Sequence, residues 1–198
     1  SGLLTQAATM TIEATPDGSS VVHRGVFVVR ELLCFLPPPP AADDLAMAEA
    51  LKKAEPTERG RAEKRAMVVR CGQCHAFFDP MGVNFEHYDT LGRYRTAIAT
   101  PNGDVPVDAS WKVDIFDVQG EPRNAHELTS RLAKSQAVRE CMARQFASYA
   151  VGSRIDDDHA CTVGDLRKKF DAAGGDFLSL VRGVATWPGL RNREEETP

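Results

Sequence analysis

The stretch "RCGQCHAFFDPMGVNFEHYDTLGRYR" (Arg70–Arg95) decides how the rest of the chain is read. Cys71 and Cys74 stand three apart and His75 follows directly, so on a helix the three side chains fall within about one turn of one another. Three chemistries use paired thiols at such spacing. A closed structural zinc site wants a second Cys/His pair, yet Cys141 and Cys161 lie twenty apart with no cysteine or histidine at knuckle spacing from either. A thioredoxin-like redox pair follows a strand in a βαβ unit, whereas here the motif is expected at the end of a helix with no parallel-sheet pattern nearby. Covalent haem attachment needs two thiols that add across two vinyl groups, with an imidazole beside the second thiol as axial iron ligand. Cys-x-x-Cys-His meets that need, which makes Cys71 and Cys74 the candidate attachment residues and His75 the candidate iron ligand.

Upstream, Asp43 to Arg70 is rich in Ala, Glu, Lys and Arg, with Pro56 and Gly60 as breakers. This predicts one short helix and then a second that delivers the cysteine motif. Four prolines at Pro37 to Pro40 form a stiff extended connector. Before them, Ser19 or Ser20 caps a helix running to about Leu33, with Val22, Val26, Val29 and Leu33 on its buried face.

Downstream, "DPMG" reads as a turn, and Thr96 to Val118 reads as the single hairpin of the chain, closed by an Asn-Gly turn. Helices then return. Asn124 with Glu127 resembles a capping box, Ser135 can cap the next helix, Thr162 with Asp165 opens another, and a last one runs from Asp176 to about Thr186. The fold expected is mainly α: a cytochrome c-like helical domain with a small β-hairpin insertion, residues 1–118, followed by a C-terminal helical bundle, residues 119–198.

A second axial ligand would separate electron transfer from small-ligand chemistry. Met81 is the nearest sulfur after the motif and the candidate distal metal ligand, with core packing as its other reading. Met10, Met47, Met67 and Met142 read as core fillers, and His87, His126 and His159 as surface or capping residues. Arg93 and Arg95 either meet haem propionates or pair with Asp79, Glu86 or Asp89. Phe77, Phe78, Phe85 and Tyr94 are candidate apolar walls, and Asp156–Asp158 is a weak calcium candidate against a solvated turn.

These residues give the chain a resemblance to the C-terminal region of large planctomycete and myxobacterial cytochrome-like proteins that end in two adjoining domains of unknown function. The first domain is similar through "HRGVFVVRELLCFLPPPP" and "CGQCHAFFDPMGVNFEHYDTLGRYR". The second is similar through "CMARQFASYAVGSR" and "DDDHACTVGDLRKKFDAAGGDFLSLV". The resemblance implies an exported, periplasmic, mostly helical protein with one covalent haem c on Cys71 and Cys74, and His75 as proximal ligand. It names no reaction. His23, Phe78, His87 and Ser153 depart from the residues usual in the family.

An exported compartment would permit a disulfide, and Cys141 and Cys161, on or beside consecutive predicted helices, are its expected partners. The expected activity is electron transfer to a redox partner protein or other domains of a longer parent chain. A peroxidase-like enzyme with an open axial site and a structural haem module are the alternatives.

The bulk properties agree with a small-molecule or protein partner. In 198 residues, 42% are hydrophobic and the formal net charge is −4, which gives no concentrated basic surface for nucleic acid or an anionic membrane. No apolar run reaches the roughly 20 residues of a membrane span. The opening "SGLLTQAATM" reads as the interior of a longer protein.

Overall fold

The computed structural model describes residues 2–16, 18–155 and 160–187. It is mainly helical, with two small antiparallel hairpins, and divides into two compact units, Ser1–Ser135 and Gln136–Pro198. The expected division at 118–119 falls earlier than this one, because the second hairpin and the helix after it pack with the first unit.

In the first unit, a short turn leads to α1 (Ala7–Ile12) and then α2 (Val21–Phe27). Ser20 Oγ accepts from the His23 amide at 3.1 Å, which satisfies one of the free donors of the first turn of α2. The expected continuation to Leu33 takes a wider π form over Val28–Leu32, and the extended proline connector follows. Val29 and Leu33 are buried as expected, while Val22 and Val26 are only half-buried because they line a cavity.

Next come α3 (Ala42–Ala54), α4 (Glu58–Met67) and α5 (Val69–Val83). Two expectations change here. The cysteine motif does not end the helix that precedes it: Val68 adopts an extended conformation between α4 and α5, and Cys71 sits in the first turn of α5. Nor does "DPMG" form a turn, since Pro80 lies inside α5 and Phe78 through Val83 are all buried.

Tertiary contact overrides the local breaker. The helices α2 and α5 cross so closely that a Cβ on Gly82 would stand 1.8 Å from the Val21 carbonyl oxygen, and one on Gly25 1.9 Å from that of Phe78. The kink-prone segment is held by this crossing, and Asn84 Nδ2 donates to the Pro80 carbonyl at 2.8 Å. Beside the crossing, Arg24 is 1% exposed and donates to the carbonyl oxygens of Met10, Phe85, Tyr88 and Asp89.

The hairpin β1 (Ala97–Thr100) and β2 (Gly103–Pro106) turns through Pro101 and Asn102, with Gly103 at φ +106° closing the strand pair rather than sitting in the loop. A second hairpin, β3 (Val113–Ile115) and β4 (Val118–Gly120), was not expected from the sequence. Helix α6 (Ala125–Leu132) follows, capped as predicted by Asn124, whose side chain accepts from the Glu127 amide at 3.1 Å.

The second unit is a helical bundle of α7 (Gln136–Val151), α8 (Ala160–Ala172) and α9 (Phe177–Ala185). Ala143, Ala147, Ile155, Val163, Leu166, Phe170, Leu180 and Val184 form its core. Gly174 and Gly175, both at positive φ, reverse the chain after α8. Asp176 caps α9 by accepting from the Ser179 amide at 2.9 Å.

The expected Cys141–Cys161 bridge is corrected. Cys161 is an exposed free thiol on α8, whereas Cys141 is 2% exposed on α7 and disulfide-bonded, as is Cys34. A sulfur joins one other sulfur in a disulfide, and that of Cys141 is already engaged while Cys161 remains a thiol. The calcium candidate Asp156–Asp158 and His159 lie outside the described residues.

Candidate functional site

A cavity of about 710 Å³ opens in the first unit. Helix α2, the proline connector, α3, the end of α4 and the N-terminal half of α5 border it, and much of its lining is aliphatic, with Val22, Val26, Leu36, Leu45, Leu51 and the four prolines among it. Cys71, Cys74 and His75 stand together on this lining. Their i, i+3, i+4 spacing on a regular first turn puts them on one helical face, which is why the break at Val68 matters. Both thiols are free and half-buried. A volume of this size with few polar groups is typical of a ligand or cofactor site.

His75 is oriented from behind. Its Nδ1 lies 3.0 Å from Asp79 Oδ1, one turn along α5, and Arg65 Nε donates to Asp79 Oδ2 at 2.8 Å. Asp79 is 3% exposed and ion-paired, so its carboxylate acts only as acceptor and the Nδ1 must carry the proton. The Nε2 lone pair is thereby left available to a metal, in the arrangement by which carboxylates orient ligating histidines. Phe78, 6% exposed, packs its ring against the imidazole with centroids 4.6 Å apart. Arg65 keeps Nη2 buried without a hydrogen-bond partner, although the residue lines the cavity.

Chemically, the two thiols can form thioethers to one ligand, the imidazole can coordinate its metal, and Arg65 can receive an anionic edge. On the far wall, Met47 of α3 brings its sulfur to 3.9 Å from Cys71 Sγ.

Other predicted site residues lie elsewhere. Met81 is fully buried in α5 and is not among the residues lining the cavity. Arg93 pairs with Asp89 at 2.8 Å, and Arg95 with the buried Glu86 at 3.1 Å, so both take the ion-pair alternative, away from the cavity lining. Of the aromatic candidates only Phe78 lines it; Tyr94 stacks on His87 at 5.1 Å. Asp79, Arg65 and Met47 were not assigned to the site from sequence. The i+4 spacing of Asp79 from His75 is a readable signal, whereas nothing local ties Arg65, on another helix, to either.

Fold and site together define a mainly helical protein whose Cys-x-x-Cys-His run faces an apolar cavity. Residues 1–98 match the family described as Protein of unknown function (DUF1588), and residues 120–188 match the one described as Protein of unknown function (DUF1585). The two matched segments adjoin along the chain, as its sequence resemblance implied. No curated protein and no solved structure matches it. No helix among the described residues is long and apolar enough to cross a membrane.

Proposed function

We propose that the first unit is a cytochrome c-like, monohaem c-type domain, exported to a periplasmic or similar compartment, that carries electrons within a larger oxidoreductase or to a redox partner protein. The observation that carries this reading is the convergence of Cys71, Cys74 and His75 on one apolar cavity with the imidazole already oriented through Nδ1. When bound, the haem supplies one-electron exchange between ferrous and ferric iron.

The chain's own residues supply the rest. Cys71 and Cys74 would hold the group through two thioethers, each thiol supplying its sulfur and its hydrogen to one vinyl group so that attachment would need no external oxidant. His75 Nε2 would coordinate the iron, Asp79 holds the imidazole through Nδ1, and the aliphatic lining would exclude water, which helps set the potential. Arg65, whose buried Nη2 has no hydrogen-bond partner, would receive a propionate. The disulfide-bonded state of Cys34 and Cys141 supports an oxidising compartment.

A second reading, an open-site haem enzyme, is favoured by the His75–Asp79 contact, since a strongly donating proximal imidazole also suits ligand activation. The deciding experiment is expression of the full chain in a host competent for cytochrome maturation. A haem spectrum and a haem mass adduct that survives denaturation are expected, both lost in the Cys71→Ala, Cys74→Ala double variant. A colourless protein at bare polypeptide mass refutes the proposal.

A further inference from the structure

The two walls of the cavity differ. The α5 wall belongs to the packed core, whereas none of the thirteen residues of α3 is buried. Leu45, Met47, Ala48 and Leu51 of α3 line the cavity instead. A helix of this length is marginal in water by itself and depends on an apolar face being covered. Two ion pairs hold it near the site: Asp44 with Arg70 at 3.0 Å, and Glu55, just past its end, with Lys64 at 3.1 Å.

Resting on the haem reading above, we propose that α3 is the distal wall of the haem and that Met47 supplies the sixth iron ligand. Among the described lining residues, Met47 is the only thioether and His75 the only imidazole. Met47 Sδ lies 3.9 Å from Cys71 Sγ, so a sulfur donor on α3 already reaches the attachment face of α5.

The competing donors are placed less well. Met81 shares α5 with His75, is fully buried and does not line the cavity. Met67 ends α4 at 82% exposure. Met10 is buried where Arg24 donates to its carbonyl. Lys64 lines the cavity but its ammonium is held by Glu55. A thioether opposite imidazole favours the ferrous state and closes the iron to added ligands, which suits a carrier rather than a ligand-activating enzyme.

The test uses the full chain loaded with haem, read by optical spectra, carbon monoxide uptake and midpoint potential. The wild type is expected to show a sulfur-to-iron charge-transfer band when oxidised and to take up carbon monoxide in only a minor fraction when reduced. Met47→Ala should keep the covalent haem by denaturing mass analysis, lose the band, and bind carbon monoxide in most of the sample. Met47→His should lose the band yet still resist carbon monoxide and shift to lower potential, which separates loss of a ligand from loss of the fold. Met81→Leu, a volume-conserving change in the core, should retain the band.

A band that survives in Met47→Ala overturns the assignment, as does one lost in Met81→Leu alone. A wild type that carries covalent haem but binds carbon monoxide as fully as Met47→Ala also overturns it while leaving the haem reading intact. A wild type without covalent haem brings down both.

Discussion

His75 Nδ1 stands 3.0 Å from Asp79 Oδ1 on the same face of α5, and Arg65 Nε closes on the other carboxylate oxygen at 2.8 Å. The three residues form a chain from the core to the cavity in which each fixes the next. Arg65 holds the Asp79 carboxylate, and Asp79 holds Nδ1 of the ring, which leaves Nε2 without a partner along this chain of contacts. An anionic acceptor behind a ligating imidazole makes it a stronger donor, which stabilises the higher oxidation state of a bound metal.

Asp79→Asn is therefore expected to raise the midpoint potential of the haem-loaded protein by tens of millivolts while leaving the thioether attachment in place. It should also cost about 3 to 5 kcal/mol of stability, because Arg65 is left as a buried cation without its counter-charge. Potentiometric titration and urea unfolding read the two effects separately. An unchanged potential would detach Asp79 from any role behind the imidazole.

The crossing of α2 and α5 makes a sharper structural demand. Since a Cβ on Gly82 would stand 1.8 Å from the Val21 carbonyl oxygen, Gly82→Ala must push two backbones apart. A loss of about 3 kcal/mol is expected, at the upper end of ordinary overpacking, since backbone cannot rotate aside as a side chain does. Gly164→Ala, inside α8 where an added methyl meets nothing within 4 Å, is the control and should raise stability by up to about 1 kcal/mol through helix propensity.

These features show which parts of the fold could be read in advance. The caps at Ser20 and Asn124 were legible because the cap and the amide it accepts from lie three residues apart, so no distant contact is needed. Pro80 misled because its place inside α5 is decided by glycines that meet across sixty residues of sequence. The hairpin at Val113–Gly120 was hidden because its turn is Phe116-Asp117, with Phe116 at φ +51°, where such turns usually show Asn or Gly. At the site, the Cys-x-x-Cys-His run could be read by itself. Met47 could not, since its apolar helix pattern suggests a core position, and only the structure reveals that this face lines a cavity.

Arg24 anchors the loop that follows α5. Its Nη1 donates to Tyr88 O at 2.7 Å and its Nη2 to Asp89 O at 2.8 Å, and the side chain is fully enclosed. Arg24→Met keeps the volume but leaves four carbonyl oxygens without their donor and Glu86 with Arg95 as its remaining cationic partner. A loss of about 3 to 5 kcal/mol is expected. A change below about 1 kcal/mol in the unfolding free energy would mean that water replaces the guanidinium at little cost.

Asp108 gives a pH dependence of determinate sign. The Ser110 hydroxyl donates to Oδ1 at 2.6 Å, and this bond, with the Ser110 amide and the nearby Arg59 guanidinium, holds the carboxyl below its ordinary range. A pKa that is lower in the folded state stabilises above the unfolded value of about 3.9 and loses that stability as pH falls through the folded value. The side chain is about half exposed, so solvent screening keeps the effect under about 1 kcal/mol. Asp108→Asn should lower the thermal midpoint at neutral pH and converge with the wild type in acid. A gap that stays constant with pH would assign the loss to packing.

The cysteines separate by their reactivity. In the haem-free chain without reductant, an alkylating agent should reach Cys161 first, because it is the exposed free thiol, and Cys71 and Cys74 more slowly from their half-buried cavity wall. Cys34 and Cys141 should react only after reduction, since both are disulfide-bonded. Once haem is attached, Cys71 and Cys74 become thioethers and should drop out, leaving Cys161 as the single labelled site. Peptide mapping of the two preparations reads every position at once. Label on Cys141 before reduction would show that its sulfur is not oxidised, and label on Cys71 or Cys74 in the coloured protein would place the haem linkage elsewhere.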